Sequence, residues 1–183
     1  MAFYSSGVEY GIHSLMSMVD ANGDSREMSV RELAELQNVP YDYLAKIFTR
    51  LSRAGLVVSS EGKGGGFRLA CASELITVLD IVHAIDGQKS MFECREIRQR
   101  LALFDEAPPS WVCHGPCSVR SVMDSAQKRM EEELARYTVL DLVRSMFRKA
   151  PDTFAIEVKE WVKERRSKTQ QRSAILPAAK KTR

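Results

Sequence analysis

Three of the four cysteines fall between positions 91 and 120, in MFECREIRQRLALFDEAPPSWVCHGPCSVR, spaced C-x18-C-H-G-P-C. Cys113 and Cys117 are separated by His114, Gly115 and Pro116, a turn that lets two thiolates face one point, with Cys94 brought in from far along the chain. That pattern admits a metal or iron–sulfur site, a redox thiol pair, or unrelated thiols. Zinc on three cysteines and His114 is chemically possible, although zinc folds usually carry two short-spaced pairs and this chain has one. Between Cys94 and Cys113 the spacing predicts a fold-back over about fifteen helical residues and a turn at Pro108-Pro109. Cys71, next to an apolar strand, is expected to be a buried structural thiol. Near the N-terminus Glu9 and His13 lie four apart on a predicted helix, hence on one face. By spacing alone they read as a solvated pair.

The elements that must position these groups are legible from periodicity and punctuation. Val8, Ile12, Leu15, Met16 and Val19 give an amphipathic helix over 3–19, ended by Asn22-Gly23-Asp24. Ser29 and Glu32 form a capping box that opens a short helix. Pro40 then starts a second one, Tyr41 to Arg53, with Leu44, Ile47, Phe48 and Leu51 inward and Gly55 as its C-terminal cap. Two short helices with a tight turn, the second bearing cations, predict a helix-turn-helix. Two β-prone runs, 56–60 and 67–71, joined by Glu61-Gly-Lys-Gly-Gly-Gly66, predict a hairpin wing. Its glycines lack both the Walker spacing and a following helix start, which argues against a nucleotide loop. Thr77-Val-Leu-Asp80 and Thr138-Val-Leu-Asp141 are further helix starts. From 118 to 137 Val119, Val122, Met123, Ala126, Met130, Leu134 and Tyr137 form one stripe on a long helix, the mark of a dimer helix.

Charge divides the chain. Nine Lys/Arg against two Glu give residues 159–183 a charge of +7, so with a net charge of +3 the rest carries −4. Within that body, residues 41–68 are locally basic, which predicts a polyanion partner met by one face. No apolar run is long enough to span a bilayer. The N-terminus lacks a basic region before its apolar stretch, so secretion is not expected and a cytoplasmic protein is. No nucleophile elbow, HExxH or comparable constellation assembles, so an enzyme is not expected. The chain is expected to divide into a DNA-binding domain at 1–90, a cysteine helix and loop at 91–117, dimerisation helices at 118–150, and a basic, largely disordered tail at 151–183, with a helix over 157–165 around Trp161.

Taken in order, ELAELQNVPYDYLAKIFTRLSRAGLV, GKGGGFRLA, LDIVHAIDG and a cysteine stretch before a long helix ending in TVLDLV resemble the Rrf2 family of winged-helix transcription regulators. The resemblance covers residues 3–148. It implies a mainly α fold with a small β wing, a winged helix-turn-helix plus a long dimerisation helix, and an iron–sulfur cluster held near that helix. The wide cysteine spacing, with Glu9 in GVEYGIH and His13 one turn on, resembles a redox-sensing branch of that family. Its [2Fe–2S] cluster is held by two Cys, one His and one Glu. That implies Cys94 and Cys113 as thiolates, Glu9 and His13 from the partner subunit's first helix, and Cys117 as an alternate ligand. Other cofactors considered are [4Fe–4S] and zinc. A zinc-stabilised module, or a thiol switch through Cys113 and Cys117, is the alternative function. The implied DNA contacts are Ser29, Pro40, Tyr41, Asp42, Tyr43 and Lys46 around the recognition helix, Arg50 on phosphate, and Lys63, Gly64 and Gly65 in the wing. They would be used by a homodimer on a pseudo-palindromic double-stranded operator.

Overall fold

The computed structural model describes residues 2–60, 65–104 and 107–175. Its elements run α1 (Ser6–Ser17), α2 (Val30–Gln37), α3 (Tyr41–Arg53), β1 (Val57–Ser59), β2 (Phe67–Leu69), α4 (Val78–Asp86), α5 (Ser110–Cys113), α6 (Ser118–Ala135), α7 (Val139–Phe147) and α8 (Phe154–Ile175). The architecture is mainly helical with one two-stranded sheet, in which Val57 pairs with Leu69 and Ser59 with Phe67, antiparallel. Phe67 also bridges Met28 through paired backbone hydrogen bonds of 2.8 and 3.0 Å, so the wing is fastened to the segment entering α2.

Local chemistry sets the helix starts. Ser29 with Glu32, Thr77 with Asp80 and Thr138 with Asp141 each form a complete capping box. The last two lie side by side: the Val78 amide donates to Tyr137 O and the Val139 amide to Ile76 O, both at 2.9 Å, so α4 and α7 begin together. One core runs through α1, α2, α3, α4, α7 and the wing. Leu15, Met18, Met28, Leu33, Leu44, Leu51, Ile76 and Ile81 are fully buried in it. Each such side chain contributes on the order of 1.5–3 kcal/mol over its exposed state. Two glycines allow close approach. A Cβ on Gly11 of α1 would stand 2.3 Å from Ile85 Cδ1 of α4, and one on Gly66 would stand 2.8 Å from the Met28 backbone.

Three expectations are corrected. The 94–113 segment is not a long helix: it holds a four-residue 3-10 turn, Ile97–Arg100, and the single turn of α5. Glu96 sits in the left-handed region at φ 49°, and Pro108 and Pro109 withhold two amides. Cys71 is exposed, because β2 ends at Leu69 and the chain bends away. The tail, expected to be helical only over 157–165 around Trp161 and otherwise disordered, carries the longer α8, whose Val162 is buried with the core and whose Phe154 ring lies 6.0 Å from that of Phe147. Alternate apolar and charged residues had concealed that single anchored face. No described helix is long and apolar enough to cross a membrane.

Candidate metal centre and nucleic-acid interface

The cysteine segment is held at both ends. Asp86, the last residue of α4, accepts the Ser5 amide at 2.8 Å and Lys89 Nζ at 2.9 Å, which joins the start of α1 to the chain leaving α4. Burial raises the Asp86 carboxyl, but the Ser5 and Lys89 hydrogen bonds outweigh it and hold the group below the usual range. Beyond Lys89, the Met91 amide donates to Gln127 Oε1 at 2.9 Å, and Gln127 Nε2 donates to Lys89 O at 3.2 Å. The segment is thereby pinned along the middle of α6.

Past that pin the chain brings two sulfurs together. Glu96 accepts from Cys94 Sγ at 3.6 Å and from Arg98 Nε at 3.0 Å, and Arg98 Nη2 donates to Gly115 O at 2.8 Å. Arg98 therefore ties the 3-10 turn to the His114-Gly115-Pro116 turn and sets Cys117 against Cys94. Cys117 is the N-cap of α6. Without closing a capping hydrogen bond, the first-turn amides of Arg120 and then Val119, helped by Cys94 and Arg98, overcome desolvation and hold its thiol below the ordinary value. Cys94 moves the other way. The Glu96 amide favours its thiolate, but desolvation, the Glu96 carboxylate and Cys117 together push the thiol up. Cys113, at the end of α5, is exposed, as is His114, while Val112 just before them is buried and anchors the turn.

Glu9 and His13 are both exposed on α1, on one face, and both line grooves of about 470 and 460 Å³ on either side of that helix. The fold brings them together but does not bring them to the cysteines. Among the described residues no three His, Cys, Asp or Glu side chains converge within one chain. Two neighbouring thiols are half of a donor set, of the chemistry that suits a soft metal or an iron–sulfur unit once further ligands complete it. Glu96 and Arg98 were not singled out by sequence. Their role depends on a left-handed residue and a long-range bond to Gly115, neither of which leaves a spacing signal.

The helix-turn-helix is built as expected, and two of its exposed side chains also make contacts within the chain. Tyr41, Asp42, Lys46 and Thr49 are exposed along α3, with Pro40 as its N-cap. Tyr43, 39% exposed, stacks edge-on with Tyr10 at 5.7 Å, and its hydroxyl is 3.4 Å from Ser6 Oγ, so it braces α3 against α1. Arg50 Nη1 donates to Ile85 O at the C-terminal end of α4, where a cation is favoured. Ser29 Oγ accepts the Glu32 amide at 3.2 Å as the α2 cap. Arg31, which its spacing does not single out, places its guanidinium 5.3 Å from the Tyr41 ring centre and adds a cation beside the α3 N-terminus. In the wing Gly65 is exposed, while Lys63 and Gly64 lie outside the described residues.

Comparison with known proteins points one way. Residues 4–145 match Rrf2, described as an iron-dependent transcriptional regulator. Protein rrf2 of Nitratidesulfovibrio vulgaris is 30% identical over 135 residues, covering 74% of this chain and 83% of the relative. The HTH-type transcriptional repressor NsrR of Streptomyces coelicolor is 28% identical over 135 residues, covering 74% and 84%. Among solved structures, CymR (YrzC), the global cysteine regulator of B. subtilis, is similar at 26% identity and TM-score 0.52, covering 78% of this chain and 97% of that one. T. potens IscR, at 22% identity and TM-score 0.58 over 82% and 93%, shares the fold.

Proposed function

The chain belongs to the Rrf2 family of DNA-binding transcription regulators, and on that premise we propose that it is a homodimer whose operator binding is controlled by an iron–sulfur cluster, [2Fe–2S] in type. Its relatives are transcription regulators, not enzymes. The observation that carries the reading is the Cys94–Cys117 juxtaposition at the N-terminus of α6, beside an apolar stripe whose first turns the chain itself leaves exposed. Val119 and Val122 are 58% and 68% exposed, and α6 has no buried residue. A second copy on that stripe covers it and brings a second α1 toward the cysteines.

On this reading Cys94 supplies one thiolate, Cys113 the other, and Glu9 and His13 of the partner subunit complete the set, with Cys117 as the alternate thiolate. The facing of Cys117 on Cys94 and its place at the helix terminus support the alternate over the exposed Cys113. Bound there, the cluster would supply a one-electron couple. The chain's own residues carry the consequence. Lys89 holds Asp86, Asp86 holds the start of α1, and the adjoining Ile85 carbonyl holds Arg50 of the recognition helix. A change in how the cysteine segment is tethered reaches α3 through that chain of bonds, and it alters the spacing of two recognition helices on half-sites roughly 34–36 Å apart. On DNA, Ser29, Arg31, Tyr41, Asp42 and Lys46 face the major groove and its phosphates, and Lys63, Gly64 and Gly65 follow the wing. Pro40 fixes the start of the recognition helix, while Tyr43 and Arg50 act through positioning.

Anaerobic purification with a visible spectrum and iron and sulfide counts tests the cluster. Stoichiometric iron and acid-labile sulfide support it, and zinc or no metal overturns it. Cys94→Ser should abolish the spectrum, and comparing Cys113→Ser with Cys117→Ser identifies the second thiolate. A second reading has its own observation. Cys94 and Cys117, already facing, could instead act as a metal-free dithiol, in place of the Cys113–Cys117 pair expected from spacing. A metal-free protein whose oxidised form shows a Cys94–Cys117 linkage by mass spectrometry would establish that reading.

A further inference from the structure

We propose that the groove between α1 and α8 is a binding site for a small apolar carboxylate, with Arg26 holding the headgroup. The site stands independently of the DNA face and of the cluster proposed above. Its volume of about 470 Å³ falls within the range of roughly 300–1,000 Å³ that small-ligand pockets occupy. Buried Met16 of α1 and half-buried Leu36, Val39, Phe147, Phe154 and Val158 line it, so most of what a ligand would touch is apolar.

One wall comes from outside the family match, which ends at residue 145, because α8 starts at Phe154. That wall is held in place further along the same helix. Val162 is buried with the core, Arg165 pairs with Glu35 at 3.2 Å, and Arg166 Nε donates to Glu32 Oε1 at 2.7 Å. A groove walled by a docked helix has its shape before a ligand arrives, which lowers the ordering cost of binding.

Charge selects the headgroup. Arg26 is the one Lys or Arg among the described residues that line the groove. Its Nε donates to Ser17 O at 3.0 Å, at the C-terminal end of α1 where a cation is favoured. That bond leaves both Nη atoms without a hydrogen bond or a carboxylate partner among the described residues. Burial disfavours the Arg26 cation, and Asp20 offsets this only in part. A carboxylate on the Nη edge would meet parallel N–H donors and supply the counter-charge. Gln37 does not compete for it, since its Nε2 donates to the buried Ser14 Oγ at 2.7 Å. Glu9 fixes the orientation from the other end. It lies two turns before Ser17 on α1, about 12 Å along the axis, and repels an anion there. The headgroup therefore sits at the Arg26 end, away from the Glu9 and His13 rim.

The test is calorimetric titration of the full chain, purified anaerobically, with decanoate and 2-naphthoate, one flexible acid and one flat. Decan-1-ol and 2-naphthol serve as their neutral counterparts. At least one acid should saturate its site, and its neutral counterpart should bind about tenfold more weakly. Arg26→Gln should weaken the acid about tenfold and leave the neutral probe unchanged, a split that general destabilisation does not produce. Val158→Trp fills the groove from the α8 wall with Arg26 in place, and should weaken acid and neutral probe alike. Thermal unfolding near the wild-type temperature confirms that each variant is folded. If Arg26→Gln does not fold, the acid-against-neutral comparison on wild type and Val158→Trp decides. No saturable binding of either acid overturns the site, and equal affinity for acid and neutral probe overturns the role of Arg26. Wild-type binding by both variants places the acids on another surface, such as the exposed stripe of α6, and overturns the groove.

Discussion

The body built by α1–α4 with the wing and the excursion at 91–123 solve the same problem in opposite ways. In the body every helix buries a stripe: α3 hides Leu44, Ile47, Phe48 and Leu51, and no buried side-chain N or O among the described residues lacks a hydrogen-bond partner. The excursion instead presents Ile97, Leu103, Trp111, Val119 and Val122 to solvent and is held by polar bonds through Gln127, Glu96 and Arg98. Exposed large apolar groups cost solubility where they gather into a patch that nothing covers. The body is therefore a finished unit. The excursion is shaped by its own chain, and on the proposed reading it is half of an interface that a second copy completes.

Breaking the finished half should cost most. Phe48, 1% exposed and tilted against Phe67 at 5.0 Å, joins the recognition helix to the wing. Phe48→Ala should lower the stability seen by urea unfolding by about 3–5 kcal/mol; a drop of less than about 1 kcal/mol would mean the wing is not part of the core. Gly11→Ala tests the α1–α4 seam, where the new methyl would meet Ile85 Cδ1 at 2.3 Å. Overpacking of this kind costs about 1–3 kcal/mol, and because Asp86 and Arg50 converge on the same end of α4, DNA affinity should fall with stability.

The smaller clamp between α2 and α8 should respond to acid. Burial raises the Glu32 carboxyl, but Arg166 and the Ser29 cap outweigh it and leave the folded value below the ordinary 4.5. A group depressed on folding stabilises the protein above its ordinary value, and that contribution is lost as the pH falls below about 4.5 toward the depressed value. Glu32→Gln keeps an acceptor for the Ser29 amide but removes the charge that meets Arg166 and the α2 N-terminus, so it should cost about 0.3–1 kcal/mol at neutral pH and should flatten the stability profile below pH 4.5. Unfolding curves with the wild-type acid slope would show that the clamp carries no linkage.

Much of the body was readable because local chemistry announces it. Pro40 and Gly55 bracket α3, Ser29/Glu32 and the two TVLD boxes mark three helix starts, and the glycine run marks the wing. What was not readable depends on distant contacts. Tyr43 and Arg50, exposed on α3, also touch Tyr10 and the Ile85 carbonyl, contacts that spacing does not announce. A helix around Trp161 was legible, but the extent and docking of α8 were not, because its anchored residues, Trp161 and Val162, are few and its partners lie more than a hundred positions upstream. At the cysteines the short Cys113–Cys117 spacing drew attention, whereas the fold sets Cys94 against Cys117 through Glu96 and Arg98. Spacing finds pairs across a turn and misses pairs made by a left-handed residue and one long-range bond.

The smallest effect on folding should come from the largest exposed group. Trp111 is 70% exposed on the single turn of α5, so truncating it removes almost no area that the folded chain buries. Trp111→Ala should leave the unfolding free energy in dilute solution within about 0.5 kcal/mol of wild type, as surface substitutions do. Concentration then separates the two halves of the comparison. If a second copy covers the excursion, the wild-type melting temperature rises with protein concentration because association favours the folded chain. Removing the indole should flatten that rise and leave the dilute limit in place. A destabilisation of more than about 1 kcal/mol in the dilute limit would mean the excursion is packed by its own chain. A concentration dependence identical to wild type would place the partner's contact along Val119 and Val122 of α6 and not on α5.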